Sequence, residues 1–101
     1  MRAVKVEYKV RPEFADQNKT NIRRVMDTLR QDPIEGLKYA AFVKEDNQTF
    51  VHLNIAKDET TLNQFTEMPD FKTFQNDLKE SNPLSPPSPE KLTLVGAGFE
   101  I

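Results

Sequence analysis

Two hydrophobic repeats alternate along the first third of the chain. Residues 3–10 place valine or tyrosine at every second position and charged residues between most of them, which is the period of a half-buried strand. A segment from Glu13 or Asp16 to Arg30 spaces its apolar residues seven, four and three apart, the period of one helix face. Pro33 predicts the exit from that helix, because the residue before a proline avoids helical angles.

The middle of the chain predicts a hairpin and two helical segments. Residues 37–44 and 49–56 alternate as strands, flank the polar turn 45–48 and follow Gly36, which suits a turn. A helix begins near Asp58, whose carboxylate can cap the first turn. Proline disrupts a helix interior but suits a first turn, so Pro69 predicts a separate segment. The apolar stripe runs through Leu62, Phe65, Phe71, Phe74 and Leu78.

Residues 81–91 carry four prolines and are predicted to form an extended surface loop. This loop is either a recognition segment for another protein or a stiff spacer that carries the chain across the sheet, and we favour the spacer. The fourth strand is predicted over 92–99, with a bulge or a close backbone approach at Gly96 and Gly98.

The order β-α-β-β-α-β predicts an α+β fold: a ferredoxin-like sandwich in a single domain, 1–101, with a four-stranded antiparallel sheet and both helices on one face. We assign Lys5, Glu7, Lys9, Lys38, Lys44, Phe42, Phe50, His52 and Asn54 to the other face. This set of residues is too apolar for a face that is fully exposed to solvent and too charged for a buried core. A second copy of the chain covering part of this face is the simplest interpretation.

Composition narrows the possible functions. The net charge is −2, and the basic residues of the first helix alternate with acidic ones, so no nucleic-acid partner is expected. The chain has no cysteine, which excludes thiolate metal sites and thiol catalysis. We expect no metal and no cofactor. We also expect no membrane partner, because no apolar run approaches the length of a membrane span. With no signal-peptide pattern at the N-terminus, the expected location is the cytoplasm.

The stretch 58–65, DETTLNQF, running into 68–74, MPDFKTF, resembles the antibiotic biosynthesis monooxygenase-like proteins of the dimeric α/β-barrel superfamily. The resemblance implies a homodimer that binds, and as an enzyme oxidises without a cofactor, a small aromatic or apolar molecule. Phe65 stands where many members carry histidine, Met68 replaces a serine or threonine, and the chain has no tryptophan. These departures favour the alternative of a ligand-binding or structural dimer without catalysis.

His52 is the only histidine, so any imidazole chemistry near neutral pH must use it. One hypothesis makes it a catalytic base or hydrogen-bond donor in a pocket at the dimer face, beside Asn54. The alternative, which we favour, is a cross-strand polar residue at a wet interface.

Tyr8 and Tyr39 are expected to face the helices. There they either line a cavity for a flat apolar ligand, with their hydroxyls orienting it, or belong to an ordinary core, which we favour. The candidate ligand-binding residues are Tyr8, Tyr39, His52, Asn54, Phe65 and Phe74.

Overall fold

The computed structural model describes residues 1–100, which form one four-stranded sheet and three helices. The strands are β1 (Arg2–Lys9), β2 (Leu37–Val43), β3 (Thr49–Ala56) and β4 (Ser85–Leu92), and the helices are α1 (Ala15–Gln31), α2 (Glu59–Thr66) and α3 (Pro69–Glu80). The sheet order is β2-β3-β1-β4, and every neighbouring pair is antiparallel. The predicted α+β, ferredoxin-like class is confirmed.

The helix boundaries follow the signals in the sequence. Asp58 caps α2: its Oδ1 accepts hydrogen bonds from the backbone N–H and the hydroxyl of Thr61, both at 2.8 Å. The predicted break is also present, since α2 ends at Thr66 and α3 begins at Pro69. A short 3₁₀ turn over Pro12–Phe14 precedes α1. The core lies between the helices and one face of the sheet.

The predicted boundaries of the last strand are wrong. β4 spans Ser85–Leu92, so all of it except Leu92 falls in the segment 81–91 that was expected to be a loop, and residues 93–100 lie beyond it. The prediction of a loop depends on the missing N–H group of proline, which weakens a strand paired on both sides. An edge strand pairs on one side only, however, so prolines are tolerated there. β4 pairs only with β1, and Pro89 lies opposite Val6.

The predicted facing of β3 is also wrong. Val6 lies opposite His52 and Tyr8 opposite Phe50, so these four residues share the face that packs on the helices. Phe50 is 2% exposed and His52 only 4%. Both faces of β3 carry apolar residues, so its alternation alone does not fix which face is inward.

The other face is called the open sheet face here. It consists of Ala3, Lys5, Glu7, Lys38, Ala40, Phe42, Val51, Leu53, Ile55 and Leu92. Its centre is apolar, and Phe42 is 61% exposed. At one end Lys5 and Lys44 form ion pairs with Glu7, at 3.3 and 3.1 Å. These bonds, chiefly the one from Lys44, lower the pKa of Glu7.

Candidate functional site: a cavity between the sheet, α3 and β4

A cavity of about 510 Å³ lies where the helix side of the sheet meets α3 and β4. The sheet lines it with Val6, Tyr8, Tyr39 and His52, and α3 adds mainly Phe71, Phe74 and Leu78. Four prolines of the segment 83–89 complete the wall. Prolines present an apolar surface without an N–H group to satisfy, so the segment predicted to be a spacer forms one side of an apolar cavity.

The buried polar atoms of this wall belong to one connected row of side chains, whereas Gln75 and Lys79 of α3, which also line the cavity, are exposed. Nδ2 of Asn18, on α1, donates a hydrogen bond to the Tyr8 hydroxyl at 2.9 Å. That hydroxyl lies 2.8 Å from Nε2 of His52, and the Tyr39 hydroxyl is hydrogen-bonded to Nδ1 on the other side of the ring. We call Asn18, Tyr8, His52 and Tyr39 the tyrosine–histidine row. It joins α1, β1, β3 and β2 behind and along the cavity wall.

All members of the tyrosine–histidine row are uncharged at neutral pH. Burial lowers the pKa of His52 to about 4, because the imidazolium form loses its hydration and gains no carboxylate in return. Burial likewise raises the pKa of Tyr8 and of Tyr39 above the usual tyrosine value. Both ring nitrogens of His52 already contact hydroxyls, so a bound molecule could exchange a proton with the imidazole only through a tyrosine.

A cluster of rings holds the row in position. The Tyr39 ring packs on Phe65 with centroids 4.7 Å apart, and Phe65 packs on Phe71 at 4.4 Å. Phe74 lies 5.3 Å from the imidazole of His52. Aromatic contacts at these distances are stabilising and restrict ring motion, so the two hydroxyls and the imidazole have little freedom.

The structure brings together most of the predicted ligand-binding residues. Tyr8, Tyr39, His52 and Phe74 all line the cavity. Phe65 does not; it is almost fully buried behind Tyr39.

Asn54 also lies away from the cavity wall. It shares the inward face of β3 with His52, and its Oδ1 is buried with no hydrogen-bond partner among the residues that the structure describes.

Sequence reasoning missed Asn18, Phe71 and the proline wall. A signal for Asn18 was present: it lies four residues before Ile22 and seven before Val25, on the buried stripe of α1. A polar residue at a buried helix position needs a hydrogen-bond partner, which here is the Tyr8 hydroxyl. The prolines were missed because their segment, 81–91, was predicted to be a surface loop and not to contain strand β4.

Residues 1–100 contain neither a candidate metal site nor a membrane-spanning helix. No group of three or more His, Cys, Asp or Glu side chains is close enough together to hold a metal ion. No helix in this part of the chain is long and apolar enough to cross a membrane.

Solved structures share this architecture over nearly the whole chain. One described as an antibiotic biosynthesis monooxygenase has a TM-score of 0.80 and 20% identity, covering 95% of this chain and 100% of its own. The fold is that of the antibiotic biosynthesis monooxygenase-like proteins. A protein of Mycobacterium tuberculosis also has a TM-score of 0.80, with 14% identity over 97% of this chain and 98% of its own.

A third match is a variant of SnoaB, described as a cofactor-independent oxygenase from Streptomyces nogalater. Its TM-score is 0.70, with 14% identity, and it covers 98% of this chain and 97% of its own. No protein-family model matches the sequence, and no curated protein matches it significantly. The resemblance to antibiotic biosynthesis monooxygenase-like proteins stated from residues 58–74 is thus confirmed in the fold.

Proposed function

We propose that this protein binds a small, flat, mainly apolar molecule in the cavity between the sheet, α3 and β4. The observation that carries the proposal is an apolar wall of rings and prolines interrupted by one buried polar row. Binding sites for small molecules typically combine apolar walls with a few placed polar groups, in volumes of about 300–1,000 Å³. The rings of Tyr39, Phe71 and Phe74 favour a flat aromatic molecule.

A fluorescence titration with fluorene, a flat aromatic hydrocarbon, tests this function. Val6→Phe would extend a ring into the cavity, so we expect the wild-type protein to bind fluorene saturably and the variant to bind at least about tenfold more weakly. Val43→Phe is the matched control, because Val43 lies on the same face of the sheet but does not line this cavity. Equal binding by wild type and Val6→Phe, or no saturable binding, would contradict the proposal.

Oxidation of the bound molecule by O₂ without a cofactor is the second candidate function. It is favoured by an unprotonated imidazole in the cavity wall and by the description of SnoaB, which has the same fold. Oxygen uptake would be measured with 1,4-dihydroxynaphthalene, after subtracting its reaction without protein. An enzyme would exceed that background and lose the excess in a folded His52→Ala variant. If the wild-type protein takes up oxygen only at the background rate, the protein binds its ligand without oxidising it.

We also propose that the protein acts as a homodimer formed through the open sheet face. Val51, Leu53 and Ile55 give this face an apolar centre, and Phe42 and Leu92 extend it. Residues flanking the centre carry both signs of charge, as at the rim of a protein–protein interface. A second copy would remove this apolar surface from water.

A further inference from the structure

The exposed residues of the cavity wall mark where the cavity opens to solvent. On one side of this mouth they are Gln75 and Lys79, both on α3. On the other side they belong to the proline-rich segment, and we call residues 83–87 the proline flap, because Pro83, Pro86 and Pro87 all line the cavity. A ligand passes between these two sides, so the more mobile side controls its exchange.

The α3 side of the mouth is fixed to the core. Phe74 and Leu78 are buried beneath it, 5% and 4% exposed. Between them and the helix end, Oδ2 of Asp77 accepts a hydrogen bond from Nδ2 of Asn21, on α1, at 2.9 Å. Moving α3 outward would break this bond and expose buried apolar side chains, which is costly.

The flap side is held by few bonds, because the ladder between β1 and β4 is interrupted there. Glu7 lies opposite Ser88, and the next pair is Lys9 with Ser85. Residues 86–87 therefore face a single residue of β1, which is a β-bulge, and neither proline can donate a hydrogen bond. Every residue of β4 is exposed, so burial adds little. Segments with few bonds and little burial open at low free energy.

One side-chain contact ties the start of the flap to the body of the protein. Nε of Arg11, just before the 3₁₀ turn that leads into α1, donates a hydrogen bond to the backbone oxygen of Asn82 at 2.9 Å. Asn82 immediately precedes the flap and has φ of +56°, a left-handed conformation that asparagine tolerates better than most residues. No side-chain hydrogen bond or ion pair that the structure describes reaches residues 83–87 themselves.

We propose that the proline flap is the moving side of the cavity mouth, with Asn82 as its hinge and Arg11 as the latch that keeps it closed. The prolines fix their own φ angles, so the flap swings as a stiff unit about a flanking residue. This inference rests on the binding function proposed above and adds how ligand exchange is controlled. Opening the flap breaks the Arg11 bond and one strand pair, whereas opening the α3 side would disrupt the core.

The kinetics of fluorene binding test the latch, with stopped-flow fluorescence as the measurement. In Arg11→Ala we expect the association and dissociation rate constants to rise together by roughly three- to tenfold, the factor that one hydrogen bond contributes. The dissociation constant should stay the same, because Arg11 does not line the cavity. Arg24→Ala is the matched control: it removes the same charge from an exposed position of α1 outside the cavity wall and should leave both rates unchanged.

The motion itself can be measured without any ligand, by ¹⁵N relaxation of the backbone amides from picoseconds to milliseconds. We expect the amides of Leu84 and Ser85 in the flap to be more mobile than those of Gln75 and Lys79 across the mouth. Arg11→Ala should increase the mobility of the flap and leave α3 unchanged.

The outcomes separate the flap from the binding function. If fluorene binds but Arg11→Ala leaves both rates unchanged, or changes the dissociation constant through one rate alone, the latch is wrong and the binding function stands. If fluorene does not bind, the binding function fails, and the relaxation data decide whether the flap moves. Equal mobility on the two sides of the mouth, or greater mobility in α3, would overturn the flap, and this comparison in the wild-type protein holds even if Arg11→Ala does not fold.

Discussion

At the scale of single residues, the most consequential position is His52. It is an ionisable side chain held between two hydroxyls in an apolar setting, with no carboxylate among its hydrogen-bond partners. The two aromatic residues that pair with it, Tyr8 and Tyr39, are neutral across the acidic range, as any tyrosine is, and burial raises the pKa of both further. Nothing in this setting compensates the charge of an imidazolium, so protonating His52 opposes folding.

This opposition predicts a dependence of stability on pH. Burial lowers the pKa of His52 from 6.5 to about 4 in the folded protein. Between these values the unfolded chain binds more protons, so the free energy of unfolding falls as the pH drops from 6.5 towards 4. The slope approaches about 1.4 kcal/mol per pH unit between the two pKa values, and it fades as the pH rises past 6.5.

Urea unfolding between pH 7.5 and 5 measures this slope. The range is chosen because the carboxylates with lowered pKa, such as Asp46 at about 2, titrate below it. A His52→Phe variant serves as control: whatever its absolute stability, it should lose the slope. A variant with the same slope as the wild type would show that His52 is not held neutral in the folded protein.

The sequence correctly predicted the direction of side chains that belong to a regular repeat along one strand or helix. The alternation of β1 correctly directed Tyr8 towards the helices, and the stripe of α3 directed Phe74 towards the sheet. It failed for His52, because the facing of β3 depends on its register with β1 and not on its own pattern. The link from Asn18 to Tyr8 joins two elements and could not be derived from either one alone.

At the scale of elements, the turn before β2 shows how one backbone conformation closes the hairpin. Gly36 has φ of +84°, a region that disfavours any residue with a Cβ atom. Its carbonyl accepts a hydrogen bond from the N–H of Lys57 at 2.9 Å, which joins the start of β2 to the end of β3. The sequence-based expectation of a turn at Gly36 is consistent with this geometry.

Gly36→Ala should therefore destabilise the fold by about 1–2 kcal/mol, the cost of the left-handed conformation for an L-residue. The added methyl group would also lie 2.6 Å from Cγ of Lys57, so that side chain would have to move. Gly96→Ala is the matched control, since a Cβ at Gly96 meets nothing within 4 Å. Thermal unfolding of both variants is the measurement, and equal melting temperatures would contradict this role of Gly36.

The element that sequence reasoning misplaced is β4, and the reason is physical. A run such as SPPSPEKL has too few N–H groups for a central strand, so its composition predicts a loop. At the edge of a sheet only one side of the strand is paired, and the missing donors can fall on the free side. Whether a proline-rich segment pairs thus depends on its place in the sheet, which only the whole topology supplies.

At the scale of the whole molecule, one face of the sheet is proposed to bind a ligand and the other to form a dimer. The inward face of the sheet, α3 and the prolines of the segment 83–89 line the cavity, while the open sheet face is available to a second copy. Leu53, in the middle of β3, lies opposite Lys5 on β1 and Ala40 on β2, at the centre of that face. A carboxylate there would lose its hydration at the centre of a dimer interface, where its one cationic neighbour, Lys5, is already paired with Glu7, and it would stay solvated in a monomer.

Leu53→Glu should consequently convert a dimer of about twice 11.6 kDa into a monomer, as read by light scattering after gel filtration. Leu84→Glu introduces the same charge at a residue that is 49% exposed and lies outside the open sheet face, so it should leave the mass unchanged. A wild-type protein that runs as a monomer, or a dimeric Leu53→Glu variant, would contradict the proposed interface.

Binding in the cavity is the central claim, and mapping fluorene onto the ¹H–¹⁵N NMR spectrum of the wild-type protein tests it most directly. We expect saturable shifts at the backbone amides around Tyr8, His52 and Phe74, and at Ser88 beside the proline wall of β4. The strand residues of the open sheet face next to Leu53 should shift little. Shifts concentrated on the open sheet face, or none at all, would contradict a ligand-binding cavity between the sheet, α3 and β4.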